Sequence, residues 1–202
     1  MPYRWRVETA ATTVRGRVLE GALVCVGRFG LAKTTVDDVA RVSGVSRATI
    51  YRYFPGGKDQ LLREVVAWDM GRFFRRLGEA VAGAPDLTLL VKESLIYARR
   101  ALLEHEVLQR VLVTEPDRLL PLTTVEAGRI LPLIAGFLVP FIEREAAAGR
   151  LRPGVNFDVA ADYIARMVLS CITSPGSVDL TDRAQVRSLV EVEILGGILQ
   201  RP

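Results

Sequence analysis

Histidine and cysteine are scarce in this chain of 202 residues, which has one His, His105, and two Cys, Cys25 and Cys171. One imidazole cannot build a histidine cluster. No CxxC pair, GxSxG elbow, GxxxxGK loop or GxGxxG run occurs either, so the common routes to a metal centre, a nucleophilic site or a nucleotide cofactor are missing. Carboxylates such as Glu143 and Glu145 have the spacing of solvated charges on a helix surface rather than of an acid/base pair. No catalytic residue, metal ligand or cofactor is assigned, and the chain is not read as an enzyme. The two thiols lie far apart within apolar helical stretches, the pattern of buried free cysteines rather than of a disulfide.

Long apolar runs are also missing. The one candidate, Ile130 to Ile142, falls short of the roughly 20 residues a spanning helix needs. Glu126, Arg129, Glu143 and Arg144 flank it, so it reads as a core helix and no membrane partner is expected. Arg4 and Arg6 have no apolar run behind them, which argues against a signal peptide and for the cytoplasm. Aromatics make up only 7% of a chain that is half hydrophobic. With no Asn-Gly and no recurrent alternation, the pattern is all-α.

What is present concentrates between Thr34 and Lys58. Thr35 offers an N-cap oxygen and Asp38, three residues on, the acidic half of a capping box. Val36, Val39 and Ala40 give the helix that starts there an apolar side, and Gly44 supplies the positive φ that ends it in the turn Ser43-Gly44-Val45. Ser46 caps a third helix whose Ile50, Phe54 and Val45 face inward. Ala48, Tyr51 and Arg52 then face outward, with Arg47 and Thr49 on the flanks. Arg can pair with guanine O6 and N7, Ala or a Thr methyl can meet a thymine methyl, and Tyr can stack on sugar or donate to phosphate. Two surface helices that merely happen to carry Arg and Tyr would look similar. Charge separates the readings, because residues 1–60 hold ten Lys/Arg against five Asp/Glu while residues 61–202 hold 17 against 18. The positive excess sits where the motif sits, as counterion release from DNA requires.

Leu19 to Leu62 resembles the N-terminal DNA-binding domain of the tetracycline-repressor-like (TetR) family of bacterial regulators. The resemblance rests on the first helix ending in Phe29-Gly30, on Thr34-Thr35-Val36-Asp37-Asp38-Val39-Ala40 and Gly44-Val45-Ser46, on Thr49-Ile50-Tyr51-Arg52-Tyr53-Phe54, and on Lys58 before Leu61-Leu62. It covers under a third of the chain. One departure is the loop Pro55-Gly56-Gly57, three residues where the family commonly has two, which bears on how Lys58 meets the DNA backbone. Together the motif and the resemblance make Thr35, Ser46, Arg47, Ala48, Thr49, Tyr51, Arg52, Tyr53 and Lys58 the expected DNA contacts. They also imply a three-helix helix-turn-helix domain over residues 1–60, joined by a helix from about residue 58 to a helical ligand-binding and dimerisation domain over 61–202.

Periodicity fills in the rest. Helix one is expected from about Thr13 to Phe29, with Val18, Ala22, Cys25, Val26 and Phe29 on its inner side and Gly30 ending it. Further helices are expected from Lys58 or Asp59 to Val81, on to about Glu104 after the break at Gly83-Ala84-Pro85-Asp86, over Glu106–Thr114 and over Asp117–Leu122. Three more should cover Thr123–Ala148, Phe157–Thr173 and Asp182–Leu199. The last two are apolar over broad arcs, Val159, Ile164, Met167, Val168, Cys171 and Ile172 on one, Val186, Leu189, Val190, Ile194, Leu195 and Ile198 on the other. A helix needs one stripe to pack on its own domain, so the surplus suggests a partner surface. The family resemblance implies a two-fold four-helix homodimer interface there. Gly196-Gly197 reads either as a close helix approach at that interface or as a frayed end.

Pro132 and Pro140 each remove the N–H that would pair with the carbonyl four residues back, at Gly128 and Gly136, which predicts a bent helix. The bend either shapes a cavity or only follows the curvature of the bundle. In the first case a small, mostly apolar effector would lie against Leu95, Leu102, Leu112, Ile130, Ile134, Phe137 and Met167, with Tyr97, His105, Glu126 and Arg129 as the nearest polar groups. His105, between two glutamates, reads first as a helix-junction residue and only second as a ligand contact. The expected function is that of a DNA-binding regulator of transcription, a repressor released from its operator by the effector. The competing reading is a DNA-binding dimer without a small ligand, whose second domain only dimerises or docks a protein.

Overall fold

The computed structural model describes residues 13–115, 117, 127–174 and 176–200, with the backbone alone at 127–130. Its architecture is all-α. The chain divides into two compact units, residues 1–74 with 105–116, and residues 75–104 with 117–202.

In the first unit, α1 (Val14–Lys33), α2 (Val36–Ser43), α3 (Arg47–Tyr53) and the start of α4 (Gly57–Val81) enclose one core. Val18, Ala22, Cys25, Val39, Ile50 and Phe54 are essentially without exposure there. Burying an aromatic ring such as that of Phe54 contributes about 1.5 to 3 kcal/mol, which is how a seven-residue helix holds its place. Thr13 caps α1 by accepting the Gly16 N–H. Helical geometry breaks at Gly30, with φ 82°, before a last turn reaches Lys33. Phe29 departs from the expected pattern. It is 44% exposed and lies outside the core cluster, because helical spacing sets a direction but not how far the partner surface beneath extends. The unit is completed by α6 (Glu106–Thr114), which packs along α1.

The second unit contains α5 (Leu87–Glu104), α7 (Ala127–Ala147), α8 (Phe157–Thr173) and α9 (Arg183–Ser188). Its core is drawn from Leu87, Leu90, Leu95, Ile142, Ile164, Val186, Val190 and Leu195. Asn156 caps α8 through the Val159 N–H, and Asp182 caps α9 through the amides of Ala184 and Gln185. Helix α7 runs through both prolines. The helix expected over Asp117–Leu122, beyond Asp117 itself, and the start of the next one at Thr123 lie outside the described residues.

Glu145 is not the solvated surface charge its spacing suggests. It is 2% exposed, and its carboxylate accepts the Leu87 N–H at 3.0 Å and the Arg150 Nε at 2.6 Å. The first turn of α5 thereby gains an acceptor for one of its unpaired amides. Glu143 is exposed as expected.

The C-terminal helix also differs from expectation. It is α-helical only to Ser188 and continues as a π-helical turn over Leu189–Ile194, in which the Leu195 N–H reaches back five residues to the Val190 carbonyl. A Cβ at Gly196 would overlap the Val192 carbonyl oxygen, so this glycine serves a close approach within its own chain. Nor does the end fray. Arg152 donates its N–H to the Ile198 carbonyl and Gln200 donates to that of Arg150, with a bridge between Leu151 and Leu199. Most of the broad apolar arc turns out to fill the unit's own core, including Ile164, Val168, Val186, Val190, Ile194, Leu195 and Ile198. What stays open along α8 and the π-helical turn is narrower: Val159 at 67%, Tyr163 at 40% and Val192 at 50% exposure.

Candidate nucleic-acid interface

The turn between α2 and α3 is built from local chemistry. The Thr35 hydroxyl accepts the Asp38 N–H at 3.1 Å, and the Asp38 carboxylate accepts both the Thr35 N–H and its hydroxyl, closing the capping box reciprocally. The hydrogen bond from Thr35 is the main cause that holds the Asp38 carboxyl below its ordinary range, with Arg41 adding to it. Gly44 leaves the helix at φ 66°. Val45 then drops into the core, and Ser46 caps α3 by accepting the Thr49 N–H while donating to the Thr49 hydroxyl.

Two anchors orient α3. With Ile50 at 1% and Phe54 at 0% exposure, the opposite face of the helix must point to solvent, and Arg47, Ala48, Tyr51, Arg52 and Tyr53 do so, while Thr49 is half-buried. An α-helix with its side chains is about 10 to 12 Å across, which a major groove about 12 Å wide admits, and seven residues at 1.5 Å each give it about 10 Å of length to lay there. The Arg52 guanidinium lies 5.6 Å from the centre of the Tyr53 ring. That contact keeps a cation and a stacking surface together on one side.

Lys58 is less free than its expected role implies. Its Nζ donates to the Ala32 carbonyl at 2.5 Å, binding the start of α4 to the end of α1. The same corner receives Glu115, whose carboxylate accepts the Ala32 N–H at 2.9 Å. The Pro55-Gly56-Gly57 loop closes as a turn, with the Gly57 N–H donated to the Phe54 carbonyl and the Gly56 N–H to the Gln60 side chain. Gln60 and Glu115 were not singled out from the sequence. Gln60 stands four residues after the amide it caps, a signal available in principle, whereas nothing local marks Glu115.

The residues named for an effector fall in different places. Leu95 is fully buried in the core of the second unit, and Ile134 and Met167 pack partly buried against that core. Tyr97 and Leu102 are half-buried on α5. Phe137 is 41% exposed, its ring 5.5 Å from that of Phe141. Arg129 and Ile130 lie on the first turns of α7, and Glu126 lies outside the described residues. His105 and Leu112 belong to the first unit, where His105 caps α6 by accepting the Leu108 N–H on Nδ1 and Leu112 is 42% exposed. A shallow depression of the second unit is lined by Arg99 and Gly176 to Leu180, none of them among the named residues. No helix among the described residues is long and apolar enough to cross a membrane.

Residues 18–65 match the family model described as bacterial regulatory proteins, tetR family. An HTH-type transcriptional regulator of Mycobacterium tuberculosis is 34% identical over 77 residues, covering 38% of this chain and 40% of that protein. Another from Mycobacterium bovis is 30% identical over 107 residues, covering 50% of this chain and 54% of its own length. The chain thus matches between two-fifths and about half of the length of these relatives. Over nearly the whole chain the fold is similar to the TetR family repressor AlkX from a Dietzia strain, implicated in biodegradation of n-alkanes, with a TM-score of 0.64, 24% identity and 94% and 99% of the two chains covered. It is likewise similar to a TetR-family transcriptional regulator from Pectobacterium atrosepticum, with a TM-score of 0.67, 19% identity and 98% and 100% covered.

Proposed function

We propose that this chain, a member of the tetR family of bacterial transcriptional regulators, binds an operator duplex as a homodimer in the cytoplasm and releases it when a small, mostly apolar ligand occupies the second unit. One observation carries the DNA half of this reading: α3 is anchored by Ile50 and Phe54 while Arg47, Ala48, Tyr51 and Arg52 stand exposed beside them. An anchored helix with guanidinium, methyl and phenol groups on its open face has the donors and the shape for base edges and phosphates. The ligand half is supported by the apolar character of α5, α7 and α8. Helix α4, whose residues belong to both units, is the continuous element through which occupancy would shift the population away from the DNA-competent state.

Selection from a random duplex pool, followed by binding titrations at several salt concentrations, tests the proposal. Arg47→Ala is expected to relax base preference at one operator position at a cost of about 1 to 3 kcal/mol, whereas Lys58→Ala is expected to weaken binding evenly across sequences with a smaller salt slope. An Arg47 variant with unchanged preference would put the reading face elsewhere. For the effector, Ile134→Trp is expected to abolish induction and leave operator binding intact. Equal responses of that variant and the parent to a true inducer would remove Ile134 from the site.

A further inference from the structure

Two aspartates stand side by side in the first turn of α2, and they do different things. Asp38 is consumed locally, closing the capping box with Thr35 and pairing with Arg41 at 2.6 Å. Asp37 reaches across to α3 instead, where its Oδ1 lies 2.8 Å from the Nη1 of Arg47. Both side chains are more than half exposed, at 59% and 58%, so the pair stands in solvent on the face that would meet DNA and is not a core contact. An acid in a helix first turn also complements the helix dipole, a role that needs no partner on α3. The contact with Arg47 is what that role leaves unexplained.

A carboxylate on an arginine has two consequences at a DNA surface. It cancels the charge that would otherwise pair with any phosphate, and so removes one contact from sequence-independent binding. Held through Nη1, the planar guanidinium is also fixed in direction while its remaining N–H donors stay available for a bidentate pair with guanine O6 and N7.

We infer that Asp37 is a specificity-determining residue of this interface, a positioning group that orients Arg47 for base readout and keeps it from binding phosphates indiscriminately. This rests on the DNA-binding reading above.

The test is Asp37→Asn, alone and combined with Arg47→Ala, measured on the duplex that the parent selects from a random pool, on that duplex with each base pair changed in turn, and on a random-sequence duplex. In the single variant, affinity for the random duplex should rise about threefold to tenfold and the salt slope should steepen by about 0.9, the value of one added phosphate contact. Preference for the parental base pair at the Arg47 position should fall by about tenfold. In the Arg47→Ala background, Asp37→Asn should change base preference no further. Thermal unfolding of the single variant should stay close to the parent's, since the pair is solvent-exposed. A parent that selects a duplex while Asp37→Asn keeps the same base preference overturns this inference alone. A loss of preference spread evenly over all positions does the same, because it would mean a disturbed α2. A parent that enriches no sequence overturns the DNA-binding reading, and this inference with it.

Discussion

The Nε2 of His105 lies 2.7 Å from the Oδ2 of Asp69, joining the residue that begins α6 to the middle of α4 within the first unit. On its other side the ring accepts the Leu108 N–H on Nδ1, which only a ring without a proton there can do. The two contacts pull in opposite directions on proton uptake. The hydrogen bond to Asp69 outweighs the cost of burial, and the imidazole is held above its ordinary value.

A folded value raised above the unfolded one adds stability that is complete below about pH 6.5 and fades as the pH rises through the folded value. His105 is the only histidine in the sequence, so its ring proton gives a single NMR titration curve. The midpoint is expected above that of a free imidazole, and Asp69→Asn is expected to bring it down and to flatten the stability profile above about pH 6.5. A parental midpoint at or below the ordinary value would contradict the pairing.

Glu145 makes the corresponding prediction in acid. Burial pushes its carboxyl upward, but the Arg150 hydrogen bond and the Leu87 N–H together hold it below the ordinary range. A depressed folded value gives stability that is present above the unfolded value and is lost as the pH falls through the folded one. Glu145→Ala would leave the Leu87 amide without its acceptor, at a cost of about 1 to 3 kcal/mol in urea unfolding near pH 7. The gap to the parent should narrow toward about pH 3. An equal gap at both values would mean that the ionised carboxylate is not what matters.

Dimerisation is best tested at the residues that the second unit leaves open. Leu189 and Met167 pack against their own core, so charging either of them would disturb folding and association together. Val192 and Val159 are more than half open, or close to it, at 50% and 67% exposure. Val192→Glu is therefore expected to leave the monomer's helical content and unfolding midpoint nearly unchanged while shifting sedimentation to the monomer and weakening operator binding, because a carboxylate buried without a partner is costly. A dimer that survives both Val192→Glu and Val159→Glu would place the interface away from α8 and the π-helical turn.

The DNA-binding motif was legible because its chemistry is short-range. Thr35 with Asp38, Ser46 with Thr49 and the turn at Gly44 all act within three residues or at one backbone position, and Ile50 and Phe54 share a face through helical spacing alone. The inner stripe of α1 was legible for the same reason, up to Phe29, where the stripe continues but the core does not. The division between apolar surface that packs at home and apolar surface left over was not legible, since an arc of hydrophobic residues looks the same in either use.

The sequence by itself determined the all-α class, the caps and turn of the helix-turn-helix and the direction in which α3 presents its side chains, because each follows from interactions within one helix turn. Only the tertiary structure decided that Asp37 takes Arg47, that Lys58 bonds Ala32 26 residues away and that Glu145 is buried against Leu87, 58 residues away. Such pairings depend on where separate helices come to rest, which no local pattern encodes. The π-helical turn was likewise not legible, because Val190, Ile194 and Leu195 all lie in the core, and an apolar stripe looks much the same whether the hydrogen bond reaches back four residues or five.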